Sequence, residues 1–425
     1  MVHEEKRARV SRREFISGIT AAAGFMMIEP HQARGTAANS ALRVGLLGCG
    51  ARGHADTADL VETGACRVIA LADLFQDQLD KAKNSFDKMM QAKGFSSIAR
   101  SQIFCGPKAY EQLANSKEVD VVVIATPPCF HPQHLEAQVL AGKHVYCEKP
   151  VSVDVWGANR VLDCGRRAEG RLSLEVGFQL RHAPPLVEQV KLIREGALGT
   201  IACGEGHYYS SYIQRPQWLR NSSDARIIRN WIHYRLLSGD IIVEQNIHVI
   251  DQFNWILGAH PLRATAKGGR PFRPDQGDAY TNYSVVFHYP NGVGVTFGST
   301  QFDKGWSDVG WRFFGSKGVS ETHYTGPVAI YGEHPWGPES GPLATQARVS
   351  SATRDNLEQA DAQKKKSFVE SIKTGQYHNQ AEQGVESALS AMLARQAAYT
   401  GAETTWDGLV SSDERWDLPI NIEEL

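Results

Sequence analysis

Two stretches of this chain carry residues whose types and spacing suit chemistry. The first is Gly48-Cys49-Gly50-Ala51-Arg52-Gly53, entered from the apolar run Leu42 to Leu47 and followed by helical spacing. Glycines there allow a tight turn, close backbone approach to a pyrophosphate and packing of helix on strand, while the helix N-terminus favours negative charge. Arg52 is either a cation within reach of a phosphate or an exposed turn residue. Asp73 closes the next apolar run, Arg67 to Ala72, where a carboxylate can hold a ribose 2'-hydroxyl. Its charge repels a 2'-phosphate and Leu74-Phe75 adds no cation, so the turn is expected to take NAD rather than NADP.

The second stretch holds Glu244 and His248, four residues apart in what reads as one helix, Ile241 to Leu257, ended by Gly258. That spacing sends both side chains from one face. A carboxylate beside an imidazole orients it and favours its protonated form. Such a histidine suits removal of a hydroxyl proton as hydride leaves a secondary alcohol. Lys149, at a strand end before Pro150, is an ammonium able to stabilise a developing alkoxide. On spacing alone, an ordinary helix pair and a core histidine explain Glu244 and His248 as well. Tyr208, Arg229 and Trp231 offer aromatic faces and donors for a polyhydroxylated ring, and core packing accounts equally for Tyr208 and Trp231. Asp251 and Trp255, on the face of His248, read as packing or support.

These residues need elements to position them. Strands at Leu42 to Leu47, Arg67 to Ala72, Val119 to Ala125, His144 to Cys147 and Leu172 to Phe178 alternate with helices at Ala55 to Val61, Gln76 to Gln91, His131 to Leu140 and from a Ser152 cap to Arg167. Alternation of this kind predicts a parallel sheet. After a helix at Pro184 to Glu195 the pattern changes to strands at Ile201 to Ser210, Leu262 to Lys267, Tyr280 to Tyr289, Val293 to Thr300 and Val309 to Phe314. Pro290-Asn291-Gly292 makes a hairpin turn. Gly332 to Ser351 reads as a surface loop, and helices at Asp355 to Lys373 and Ala381 to Tyr399 close the chain. The expected fold is an α/β Rossmann domain with a parallel sheet, residues 41–175, plus an α+β domain with a large open, mainly antiparallel sheet, residues 176–425. The open sheet offers a face for a homo-oligomer.

Residues 1–40 read as an address. Ser11-Arg12-Arg13-Glu14-Phe15-Ile16 matches the twin-arginine export signal and precedes a mildly apolar stretch, Gly18 to Ile28, too short to span a bilayer. An exported, extracytoplasmic or periplasmic protein is expected. The 45 basic and 47 acidic residues give a net charge of −2, which favours neither nucleic acid nor an anionic membrane. The seven cysteines lack Cys-x-x-Cys spacing, so neither a disulfide framework nor a zinc site is indicated. His207, His233 and Glu244 repeat no known ligand spacing, and no metal is expected.

Three segments together resemble a known family. They are the glycine turn, Ala125-Thr126-Pro127-Pro128 through His131 to Ala141-Gly142-Lys143-His144-Val145-Tyr146-Cys147-Glu148-Lys149-Pro150, and Glu244-Gln245-Asn246-Ile247-His248-Val249-Ile250-Asp251. The likeness is to the family of glucose-fructose oxidoreductase, inositol dehydrogenase and the rhizopine-catabolism oxidoreductases (Gfo/Idh/MocA). It implies that Thr126, Pro127, Pro128 and His131 line the cofactor cleft, with Glu148, Lys149 and Gln179 near the nicotinamide half. It also implies that Lys149 meets the substrate hydroxyl and His248 carries the proton. The family usually has Asp four residues before that histidine, where this chain has Glu244, one methylene longer.

Export constrains the chemistry. A nicotinamide cofactor outside the cytoplasm lacks a pool with which to exchange, so it is expected to stay tightly bound and be regenerated within the cycle. Oxidation of one sugar or cyclitol coupled to reduction of another satisfies this. So does a redox-neutral glycoside hydrolysis by oxidation, elimination, hydration and reduction. The Glu244 to His248 segment matches the dehydrogenase pattern better than the Tyr-Pro-x-His segment associated with the glycosidases. A non-catalytic sugar-binding protein is the contrasting class, and retention of Lys149 and His248 argues against it.

Overall fold

In a computed structural model, the structure describes residues 41–211, 213, 223–271, 277–302, 306–324, 326–337 and 350–425, with the side chains of 350–358 left aside. The twin-arginine segment and most of the expected Gly332 to Ser351 loop lie outside these residues. Leu42–Leu425 form one unit.

Its first sheet has six parallel strands: β1 (Leu42–Leu47), β2 (Cys66–Asp73), β3 (Ile103–Cys105), β4 (Val121–Ile124), β5 (His144–Cys147) and β6 (Leu174–Val176). Their order, β3-β2-β1-β4-β5-β6, reverses direction between β1 and β4. That switch point leaves a crevice at the carboxyl ends of the strands, where open α/β sheets bind ligands. Crossover helices α1 (Ala51–Glu62), α2 (Gln76–Ala92), α3 (Ala109–Asn115), α4 (His131–Leu140) and α5 (Val155–Ala168) cover the sheet. The three-residue β3 and the short α3 offer too little periodicity to be read from sequence. Asp154, not Ser152, caps α5, its carboxylate accepting from Gly157 N at 2.7 Å.

The second sheet has eight strands: β7 (Ile201–Tyr209), β8 (Arg263–Gly269), β9 (Asn282–His288), β10 (Gly294–Thr300), β11 (Asp308–Gly315), β12 (Gly318–His323), β13 (Val328–Gly332) and β14 (Thr404–Thr405). The order is β13-β12-β11-β7-β10-β9-β8-β14, antiparallel apart from the β7–β10 pair. The sheet is therefore mixed and mainly antiparallel. Strand β12 escapes the sequence because polar and glycine residues break its alternation, and β13 because its apolar run is only four residues long.

Helix α6 (Pro184–Arg194) follows the first sheet, and α7 (Asp224–Arg229) follows β7. The stretch expected as one helix is two, α8 (Ile241–Glu244) and α9 (Ile247–Leu257), separated at Gln245-Asn246. Two long helices, α10 (Ser350–Thr374) and α11 (Ala381–Thr400), come next, and a short helix at Trp406–Val410 follows them. One face of α9 packs on the second sheet, where Phe253 makes edge contacts with Phe287, Phe297 and Phe313 at centroid distances of 6.4, 6.2 and 5.9 Å. The apolar core around it runs without a break into α11 and the first sheet, so the helix that carries His248 is fixed to both.

Phe253 is fully buried, and removing its ring leaves a cavity that rigid strands cannot close. Phe253→Ala should cost about 3–5 kcal/mol of stability, read as a lower denaturation midpoint by circular dichroism. A midpoint shift within error would show that α9 is not anchored in this way.

Candidate active site

The glycine turn joins β1 to α1. Gly48 has φ +93°, and a Cβ there would lie 2.7 Å from the Ala125 backbone carbonyl, so the position requires glycine. Nothing lies within 4 Å of where a Gly50 Cβ would be, which leaves the N-terminus of α1 open to a phosphate. Asp73, at the end of β2, is braced by Cys49 N at 2.7 Å and Phe75 N at 2.8 Å. Burial raises its carboxyl above the usual range, against these two amide donors.

A cavity of about 690 Å³ opens beside the turn. Gly48, Gly50, Ala51, Asp73, Thr126 and Pro127 line it. His134 joins them, holding Thr126 Oγ1 at 2.9 Å, with its imidazole pushed down to about 3 by burial. Pro128 and His131 stand behind this wall. His131 Nδ1 lies 2.7 Å from Pro150 O and its Nε2 2.7 Å from Thr126 O, tying the chain after β4 to that after β5. Burial lowers its imidazole despite both carbonyls.

Beyond β5 lies a dense centre of charge. Glu148 is buried and accepts from Arg52 Nη2 at 3.0 Å, Tyr146 Oη at 3.0 Å and Lys149 N at 3.2 Å. Burial pushes its carboxyl upward, but Arg52, Lys364 and Lys149 outweigh that and hold it below the usual range. Lys149 Nζ donates to Glu244 Oε1 at 2.8 Å and to Glu244 O at 2.7 Å. With the carbonyl of Glu244 engaged, the amide of His248 turns to Gln245 O at 3.4 Å, and α9 starts anew. The lysine thus takes the carbonyl that the helix break leaves without the His248 amide.

His248 is buried, edge-on to Phe178 at 6.3 Å, and its Nδ1 has no partner. Burial first and Lys149 second push its imidazole well below the usual value. The expectation that Glu244 would favour a protonated His248 is therefore corrected: the carboxylate has turned to Lys149, and the imidazole is neutral. Gln179, beside Phe178, also has an unpartnered buried oxygen, Oε1, as does Asn246 with Oδ1. Buried polar atoms left open in this way suit a polar ligand. Tyr208 faces the same region, its hydroxyl raised to about 12 by burial and the charge of Glu244.

Sequence profiles of one family cover more than half of the chain. The profile described as "Oxidoreductase family, NAD-binding Rossmann fold" matches residues 42–176, and "GFO/IDH/MocA C-terminal domain" matches 188–321. The chain belongs to the Gfo/Idh/MocA oxidoreductases. Inositol 2-dehydrogenase of Rhizobium meliloti (strain 1021) is 25% identical over 292 residues, 68% of this chain and 78% of that protein. Levoglucosan dehydrogenase, solved with NADH and levoglucosan, has the same fold at TM-score 0.66 and 18% identity, over 86% of this chain and 99% of that one. Aldose-aldose oxidoreductase from Caulobacter crescentus, solved with glycerol, matches at TM-score 0.65 and 20% identity, over 86% and 99%.

In this Gfo/Idh/MocA chain the pyrophosphate turn, the open helix N-terminus and the Asp73 carboxylate fit a dinucleotide, with Glu148, Lys149 and Gln179 beyond the cavity described above. Arg229 and Trp231, expected at the substrate, line the dinucleotide cavity instead. The Arg229 guanidinium lies 3.8 Å over the Phe75 ring and donates to Asp77 Oδ2 at 3.1 Å. The cation missing from Leu74-Phe75 thus arrives from α7. Arg52 is occupied by Glu148, by Asp56 at 3.1 Å and by Asp361 at 3.4 Å, rather than extended to a phosphate.

Sequence reasoning missed the far side of this network. Lys364 and Lys365 of α10 are fully buried. Lys365 Nζ donates to Asp56 at 2.5 Å and lies 3.9 Å over the Tyr146 ring. Burial raises the Asp56 carboxyl and lowers the Lys365 ammonium. A lysine run in a polar helix looks solvated, and nothing local marks it as buried.

A neutral His248 follows from these surroundings. The ¹⁵N shifts of its ring should keep the neutral pattern at pH 6.5, where an ordinary histidine is about half protonated. An imidazolium signal for His248 at pH 7 would contradict the geometry.

Proposed function

We propose that the protein is an exported NAD-dependent oxidoreductase that oxidises a secondary hydroxyl of a sugar or cyclitol and keeps its cofactor bound through the cycle. One observation carries this reading: Glu244 holds the Lys149 ammonium at 2.8 Å, close enough for its charge to act on the buried imidazole of His248. The bound cofactor supplies a hydride acceptor. Lys149 holds the substrate oxygen and stabilises negative charge as it forms there. His248, uncharged and with Nδ1 unpartnered, accepts the hydroxyl proton. Glu244 fixes the lysine, so its extra methylene over the family's usual aspartate sets how far Lys149 reaches. The buried surroundings of His248 exclude water and strengthen each charge interaction.

Cofactor retention rests on the cover of the dinucleotide cavity. Ile228, Arg229 and Trp231 close one side, and Ile420 to Glu423 near the chain end close another. Asn421 N donates to Asp224 Oδ2 at 3.2 Å, joining the two covers. Asp73 favours NAD by repelling a 2'-phosphate, and the nearby Arg229 is engaged by Asp77. The twin-arginine segment supports export of the already folded holoprotein. The inositol 2-dehydrogenase relative and the levoglucosan-bound neighbour support a polyhydroxylated ring as substrate.

Native mass spectrometry of the purified protein should show bound NAD, and a spectral scan with myo-inositol and aldoses should show reduction of that NAD. Lys149→Ala and His248→Ala should each lower kcat by about 10²–10⁴. Normal turnover by both variants would remove the assignment, and phenol release from an aryl glycoside without net NADH would replace it with the redox-neutral hydrolase. Arg229→Ala should release NAD several-fold faster by loss of the stacked cation. Unchanged retention on gel filtration would show that α7 is not part of the cover.

A further inference from the structure

The outward face of the second sheet carries a cluster that the redox centre does not use. Side chains alternate along β7, so Glu205, His207 and Tyr209 face away from Tyr208 and the buried centre. Neighbouring β11 and β12 bring Asp308, Arg312, Glu321 and His323 to the same face. In the ladder, Gly310 of β11 lies opposite both His207 and His323. The middle position therefore has no side chain, and a Cβ there would stand 2.9 Å from His323 Nδ1.

Across that gap His207 Nε2 lies 2.7 Å from Asp308 Oδ2, and His323 Nδ1 lies 2.9 Å from Asp308 Oδ1. One ligand atom from each of the three falls within 4.8 Å of the others. The second nitrogen of His323, Nε2, meets Glu321 Oε1 at 3.1 Å. A carboxylate behind a ligating imidazole fixes its tautomer and raises its basicity. The His207 ring is stacked on Tyr209, with centroids 4.9 Å apart and planes 16° apart. Arg312, on the same face, is taken up by Glu205 at 3.0 Å and by Glu321.

We propose that His207, Asp308 and His323 form a binding site for a divalent late first-row metal ion, with zinc as the reference ion. Two imidazole nitrogens and one carboxylate are the ligand types such ions take. Metal–ligand bonds of about 2.0–2.1 Å in a tetrahedron separate ligand atoms by roughly 3.3 Å, so the two histidine–aspartate contacts need to open by about half an ångström and the two imidazole nitrogens, within 4.8 Å of each other, to settle at that separation. The half-exposed rim leaves the fourth position to water or to another ligand. The ion would tie β7, β11 and β12 together on the face opposite the redox centre. Its ligands come from three strands separated by up to 116 residues of chain, which is why no spacing motif announces it.

The test uses the whole protein without a polyhistidine tag, with ZnCl₂ as probe. After equilibration and gel filtration, elemental analysis should find about one equivalent of zinc per chain that His207→Ala, Asp308→Asn and His323→Gln each lose. Zinc should raise the melting temperature of the wild-type protein and leave that of each variant unmoved. Native mass spectrometry of bound NAD and circular dichroism check that the variants are folded. Absence of stoichiometric zinc on the wild-type protein, or equal zinc on folded variants, overturns the site. If every variant fails to fold, the wild-type stoichiometry and melting shift decide alone.

Discussion

Lys149 reaches from the end of β5 to both the carboxylate and the main-chain carbonyl of Glu244, and the centre is arranged around that reach. The carbonyl it takes lies at the break between α8 and α9, where His248 stands at the start of a new helix. Burial first, and the charge of Lys149 second, hold the imidazole of His248 well below its usual value. A single side chain therefore meets the backbone at a helix break, adds its charge beside His248 and bridges the elements of the two sheets.

Burying so many charges is expensive unless each finds a partner. Glu148 is held by Arg52 and Tyr146; Asp56 is held by Arg52 and Lys365. The partners come from α1, β5 and α10, so the first sheet acquires its charge balance only when α10 docks against it. Cofactor turn and lysine are thereby coupled, because Arg52 belongs to the former and Glu148 precedes the latter.

The glycine turn, Asp73 and the parallel order of the first sheet were legible because their signals are local: Gly48 needs a positive φ, and continuous apolar runs announce buried strands. Lys149 and His248 could be singled out by resemblance, yet their mutual arrangement could not, since the Glu244 bond spans 95 residues. Arg229 reads locally as a sugar-binding cation, but the fold carries it over Phe75. Lys364 and Lys365 give no sign of burial in a run of lysines, and His207, Asp308 and His323 meet only across a strand ladder. What escaped the sequence was in each case a partner supplied by tertiary packing, or an element too short to show a period, such as β3.

The arrangement makes one structural demand that can be observed directly. A crystal structure of the protein with NAD⁺ should place the pyrophosphate on the Gly48 to Gly53 turn, the adenosine ribose on Asp73, and the nicotinamide ring beside Lys149 and His248. A nicotinamide ring turned away from Lys149, or a dinucleotide bound elsewhere, would contradict the account of this centre.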